Sequence, residues 1–192
     1  MGKIIYVCGP YGAGKTTLVR TARKSMPSLK TIPTYTTRKP RAGELEDNID
    51  QLIFVSKKEY QALRNKSKFW NHSEIIGIYY GADTQKVNED VKRGANYIIT
   101  APADVKLLRD VKSKYQADNI VVWVNTSLET ANKRLLKRDK EKAKLRIHSP
   151  TQNAQYLAYA KECADYIFKP CNNLKKDKDS FAQLVKTLLT IS

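Results

Sequence analysis

Gly9-Pro10-Tyr11-Gly12-Ala13-Gly14-Lys15-Thr16 is the stretch on which the fold class turns. It fits GxxxxGK[ST], the pattern of a backbone loop that wraps a phosphate chain. Lys3–Cys8, just before it, is a β-branched and aromatic run of the kind that forms a buried strand. After it, Leu18, Val19, Ala22 and Met26 recur at helical spacing until Pro27. Glycines let the main chain approach phosphate oxygens, and successive N–H groups at a helix N-terminus supply a fixed positive field. In that setting Lys15 reaches the terminal phosphates of a nucleoside triphosphate and the Thr16 hydroxyl is placed to ligate Mg2+. The competing reading is a Gly-rich turn ahead of a helix. The loop alone does not name the second substrate, because GTPases, ATPases, kinases and motor domains share it. Val124-Asn125-Thr126-Ser127 does not supply the NKxD-type loop of a guanine-reading GTPase.

Working outward, helix-period segments start near Ser56, Asp83, Ala103, Ser127, Ser149 and Asp177, each with a capping residue in its first turn. Between them lie the apolar runs Tyr97–Ala101 and Ile120–Val124 and the weaker Tyr166–Phe168, which read as buried parallel strands. Strand, crossover and strand in this order predict an α/β sheet with ligands at the carboxyl ends of its strands. Thr31–Ile78 breaks the rhythm, with alternation at Thr34–Thr37, a polar loop at Gly43–Asp50 and strand-like runs at Leu52–Val55 and Phe69–Ile76. A small, partly antiparallel insertion is expected there. Asn172–Asp179 is the nearest thing to a linker and is too short to separate domains.

The chain has 192 residues, 35 Lys and Arg against 19 Asp and Glu, and a formal charge of +16, so its partners are expected to be anionic. Charge alone does not choose among nucleic acid, lipid head groups and nucleotides. No apolar stretch approaches the length of a membrane span, and MGKIIYVCG is too short for a secretory signal, which points to the cytoplasm. Cys8, Cys163 and Cys171 lack metal-ligand spacing and read as reduced thiols.

Thr36-Thr37-Arg38-Lys39-Pro40-Arg41-Ala42-Gly43-Glu44, followed by Phe54-Val55-Ser56 and by Gly77-Ile78-Tyr79-Tyr80-Gly81, resembles the guanylate kinases, as does a P-loop that begins Gly-Pro. Nearly the whole chain follows the family's order of motifs. The resemblance implies a P-loop NTPase three-layer sandwich: a central parallel sheet, a small partly antiparallel insertion for the nucleoside monophosphate, and an Arg-rich lid. The expected single domain has its core at 1–30, 82–133 and 148–192, its insertion at 31–81 and its lid at 134–147. The resemblance also implies ATP with Mg2+ at Gly9, Pro10, Tyr11, Gly12, Ala13, Gly14, Lys15, Thr16 and Thr17, with Thr16 toward the metal. The acceptor, GMP, dGMP or a related monophosphate, would meet Arg38, Arg41, Asn71, Tyr80 and Thr100. Lys15, Arg38, Arg134, Arg138 and Arg146 would stabilise the migrating phosphoryl group. Two arginine forks suit a dianionic phosphate, although in isolation such a pair reads as solvated surface and only the surrounding motif reverses that. Lys133–Arg146 likewise reads either as the lid or as an exposed basic helix.

The chain departs from the family on the nucleobase side. Asn71 falls where family members carry a Glu that pairs with guanine N1–H and the exocyclic amine, a loss of about 1.5–3 kcal/mol of charge-assisted contact. Glu74 is a weak substitute. Ile98-Ile99-Thr100-Ala101-Pro102 replaces a strand that ends in Asp-x-Asp, and Asp104 reads as the cap of the next helix. Gln51 or Leu52 stands where the family has a phosphate-binding Tyr. Four functions stay open: a guanylate-type kinase, a kinase with another phosphorylated acceptor, a noncatalytic binding module, and a nucleic-acid binder. The complete P-loop favours the first; no nucleic-acid motif is visible, and a monomer or homodimer is expected. His72 and His148 read as surface or packing residues, and Trp70 and Trp123 as core aromatics.

Overall fold

β1 (Lys3–Cys8) is buried along all but its first residue, as a central strand must be when both faces are covered. The computed structural model describes residues 1–40, 45, 51–66, 69–75, 77–83, 85–114, 118–138, 140–147 and 152–191. Arg41, His148 and most of the polar loop at 43–50 lie outside the described residues.

β1 pairs in parallel with β6 (Tyr97–Thr100) and β7 (Asp118–Val124), and β7 pairs in parallel with β8 (Tyr166–Phe168). The sheet order is therefore β6-β1-β7-β8, with a single bridge from Lys30 to Tyr97 beyond β6. Alternation along β1 feeds two cores. Ile5 and Val7 pack with Leu18, Val19 and Ala22 of α1 (Lys15–Ser25) and with Phe181 and Val185 of α8 (Leu174–Thr190). Ile4, Tyr6 and Cys8 face the other layer. That layer holds α3 (Gln85–Lys92), α4 (Val105–Lys114) and α7 (Ala154–Glu162), through Val87, Leu108 and Leu157. Trp123 is buried in the same cluster, and so is the Cys8 thiol, whose pKa burial pushes up to about 12. Among the described residues no helix is long and apolar enough to cross a membrane.

The interrupting segment forms a second sheet of β2 (Thr34–Thr36), β3 (Leu52–Phe54), β4 (Phe69–Ile75) and β5 (Ile78–Asp83) in the order β3-β2-β5-β4. Only the β2–β3 pair is parallel. Ser56 caps α2 (Lys57–Asn65) in a reciprocal box with Glu59, which gives the Phe-Val-Ser run its local purpose.

Several sequence expectations move. α7 begins at Ala154 with Asn153 as its cap, not near Ser149. α8 begins at Leu174 behind Asn173, because the Asn side chain accepts the first-turn N–H of Lys176; Asp177 lies inside the helix, buried, and accepts from Cys171 N–H. β5 runs to Asp83, two residues past the expected edge of the insertion, and Ile32 belongs to the main core. The basic stretch is helical, in two pieces: Arg134 and Arg138 ride on α5 (Leu128–Arg138), and Arg146 on α6 (Lys140–Ile147).

Candidate active site

The loop after β1 owes its path to one close approach. Gly12 has φ +85°, and a Cβ there would stand 2.3 Å from the carbonyl oxygen of Ala131 on α5, so only glycine lets the helix pass this near. Gly14 precedes α1 in the left-handed region and contributes no side-chain cap, which leaves the first-turn N–H groups of Lys15, Thr16 and Thr17 for an anion. Thr126 Oγ1 donates to the Ala13 carbonyl, so the loop after β7 tethers the P-loop. On the other side Tyr11 N–H donates to Oε1 of Gln152, a buried residue whose amide in turn donates to Asn132 on α5.

Lys15 folds back on this loop, its Nζ donating to the carbonyls of Gly9 (2.8 Å) and Pro10 (2.9 Å). Enclosure lowers its pKa to about 8; the Cys8 thiol opposes the shift, and Arg146 and Arg138 add to it.

In front of the loop lies a cavity of about 400 Å3. Its phosphate end is lined by Gly12, Gly14, Lys15, Thr16 and Thr17, with Arg134, Arg138 and Arg146 beside them. Arg146 is half-buried and the other two arginines are exposed. Its far end is lined by Thr31, Thr34, Arg38, Ser73, Tyr80 and Thr100. No Asp or Glu lines it among the described residues.

The second sheet explains how its motifs hold that far end. Thr36 is fully buried, and Thr37 exchanges two hydrogen bonds with Tyr79 before Arg38 emerges toward the cavity. Arg38 stacks over Phe54 at 5.2 Å and donates to the Lys39 carbonyl. The Tyr80 carbonyl accepts from the hydroxyl of buried Tyr60, whose ring packs on Phe69 (4.8 Å) and Tyr79 (5.3 Å). Gly81 sits under the Phe69 ring, where a Cβ would come within 2.7 Å.

The cavity thus brings together Tyr11, Gly12, Gly14, Lys15, Thr16, Thr17, Arg38, Tyr80, Thr100, Arg134, Arg138 and Arg146. Gly9 and Pro10 serve through their carbonyls, and Ala13 is buried in the core. Asn71 is placed by its backbone on β4 opposite Ala82, two residues before the pocket-lining Ser73. Glu74 is exposed and pairs with Tyr79, on the other face of the strand, so it does not replace a pocket acid. Asp104 accepts the Leu107 N–H as a helix cap, and His72 is exposed. Ser73, Thr31, Thr34 and Gln152 are additions that the motifs do not mark. Strand alternation from Asn71 would have found Ser73; Gln152 carries no local signal.

For a hard divalent cation the described lining offers hydroxyl oxygens, Thr16 foremost, and no carboxylate. That donor set fits Mg2+ held chiefly by nucleotide phosphates and water, with one protein hydroxyl.

A profile of the family described as "Guanylate kinase" matches residues 1–185. The chain is similar to the guanylate kinase of Rubrobacter xylanophilus, 34% identical over 70% of this chain and 68% of that one. It is also similar to that of Carboxydothermus hydrogenoformans, 31% identical over 75% and 69%. In fold it resembles the crystal structure of guanylate kinase from Anaplasma phagocytophilum, with a TM-score of 0.68 and 17% identity over 100% of this chain and 88% of that one. With the profile running through the P-loop, the Thr-Thr-Arg segment, the Tyr-Tyr-Gly hairpin and both basic helices, this chain belongs to the guanylate kinase family.

Proposed function

We propose that the chain transfers the γ-phosphoryl group of ATP to a nucleoside monophosphate, GMP or dGMP. The observation that carries this reading is the single cavity that joins two cationic ends: Lys15 with Arg134, Arg138 and Arg146, and Arg38 with Tyr80. A triphosphate at the first end and a monophosphate at the second face each other across it. Catalysis then consists of alignment and charge stabilisation. The P-loop N–H groups and Lys15 hold the triphosphate, and Arg38, joined by Arg41, binds the acceptor phosphate. The Tyr80 hydroxyl orients that phosphate. Arg134, Arg138 and Arg146 balance negative charge as it spreads over the transferred oxygens. Thr16 would offer its hydroxyl to a Mg2+ that arrives with ATP, and the ion would supply neutralisation of phosphate charge. No protein base is required, because the acceptor phosphate is already largely ionised at pH 7.

A relaxed choice of base is a second reading, favoured by one observation. Besides Arg38 and Tyr80, the described polar side chains at the far end are neutral hydroxyls (Thr31, Thr34, Ser73, Thr100), which discriminate between bases less sharply than a carboxylate. A coupled ADP-release assay across GMP, dGMP, AMP, CMP and UMP separates the readings. Turnover of GMP and dGMP is expected, and comparable turnover of a second base supports the relaxed site. ATP binding without turnover of any monophosphate overturns both.

A further inference from the structure

Tyr11 occupies a position that the P-loop pattern leaves to any residue. Its ring nevertheless lies against two of the cavity's cations. The guanidinium carbon of Arg146 is 5.3 Å from the ring centroid and Lys15 Nζ is 5.9 Å from it, both within the range in which an aromatic face attracts a cation. The backbone that carries the ring is tethered, since Tyr11 N–H donates to buried Gln152, whose amide donates to Asn132 on α5. Lys15 and Arg146 share a wall in which no described residue is acidic. Ahead of the nucleotide, the ring face of Tyr11 and the Gly9 and Pro10 carbonyls are partly negative groups next to these cations. The half-burial of Arg146 matches this docking, whereas Arg134 and Arg138 on the preceding helix are exposed.

We propose that Tyr11 is a positioning residue: it holds the Arg146 guanidinium over the P-loop before the nucleotide arrives, so that the phosphates of ATP meet a cation already in place. An arginine fixed in advance loses less rotamer freedom on binding than one recruited from solvent, and the ring eases the approach of two like charges. Tyr11 acts through Arg146, which sets a sharp condition on mutants: with Arg146 gone, the ring keeps only its contact with Lys15, which the Gly9 and Pro10 carbonyls already hold. The inference rests on the kinase reading for its purpose, but not for its measurement.

The test is MgATP affinity, by calorimetry, for the wild-type chain, Tyr11→Phe, Tyr11→Leu, Arg146→Met and the double variant Tyr11→Leu/Arg146→Met. Tyr11→Leu should weaken binding about tenfold, Tyr11→Phe less than about twofold, and Tyr11→Leu added to Arg146→Met less than about twofold further. Equal losses for Tyr11→Leu in both backgrounds, or a Phe variant as damaged as the Leu variant, would overturn the proposal. If Tyr11→Leu does not fold, a series of progressively fluorinated phenylalanines at position 11 replaces it. Affinity should then fall stepwise as the ring loses its negative face, and a flat series overturns the idea. A wild-type chain that obeys the cycle but phosphorylates no monophosphate removes the kinase reading and leaves this one standing. Normal turnover with additive losses does the reverse, and a chain that binds no ATP removes both.

Discussion

The two ends of the cavity are built on different principles. At the phosphate end the recognising groups are backbone N–H groups at the start of α1 and long cations, and their placement follows from Gly12 passing close under α5. At the far end the groups are short side chains on the strands of a small mixed sheet, where a shift of one residue turns a side chain to the other face. Charge and main-chain geometry tolerate drift in the surrounding sequence, and a base-reading wall does not. The phosphate end has accordingly kept its full motif, while Asn71 and Thr100 stand where the family resemblance expects acids.

The comparison breaks most easily at Lys15. Lys15→Ala should lower phosphoryl transfer about 10³-fold, since it removes a charge aimed at the terminal phosphates in a partly desolvated site. ATP-dependent thermal stabilisation should vanish with it. A variant that keeps its ATP-dependent shift would show that the phosphate end is not the nucleotide site.

At the other end the largest effect is steric. Gly81→Ala drives a methyl group into the Phe69 ring, which is itself packed on Tyr60 and Tyr35. A loss of about 1–3 kcal/mol in urea denaturation is expected, together with a raised KM for the monophosphate as Tyr80 shifts. An unchanged denaturation midpoint would mean that β4 and β5 separate freely and do not hold Tyr80 in register.

Chemistry rather than packing is probed by Asn71→Glu. The backbone of Asn71 pairs with Ala82 across β4–β5, two residues before Ser73, which lines the cavity. A carboxylate there pairs with the two N–H donors of guanine, so the ratio of kcat/KM for GMP over AMP should rise about tenfold. If selectivity does not move, base recognition lies elsewhere in the wall.

What could be read from the amino acids follows the same division. β1, the P-loop and α1 were legible because the pattern, a buried run and a helical period coincide over consecutive residues, and Lys3–Cys8 is the strand that forms. The helix that carries Arg134 and Arg138 was legible from Ser127, with Ala131 and Leu135 buried at helical spacing, whereas the break before α6 was not, because Lys140–Ile147 has little apolar period and reads only as charge. Ser73 is marked only by strand alternation from Asn71 and its pairing with Tyr80, and Thr31 has no local signal because it is set by a bond to the distant Ile98 carbonyl. Gln152 is a single long-range hydrogen bond to Tyr11, a contact for which no local residue pattern exists.

The smallest predicted effect is one of pH, and its sign differs between binding and folding. With the Lys15 pKa lowered to about 8 in the free chain, chiefly by enclosure, the ammonium begins to lose its proton at mildly alkaline pH. ATP phosphates favour the charged form, so binding raises that pKa and takes up a proton. Affinity should therefore be constant below about pH 7 and weaken above it, by about twofold at pH 8 and about fourfold at pH 8.5 for a single titrating group. Calorimetry in two buffers of different ionisation enthalpy would detect the proton uptake, and Lys15→Arg, which stays charged, should flatten the profile. Folding runs the other way. Between about 8 and the ordinary lysine value of 10.5 the unfolded chain binds the proton that the folded chain has released, so the contribution of Lys15 to stability rises with pH across that window. Nucleotide-free stability that rises where ATP affinity falls would identify one group behind both, and parallel trends would place the alkaline loss of affinity outside the P-loop.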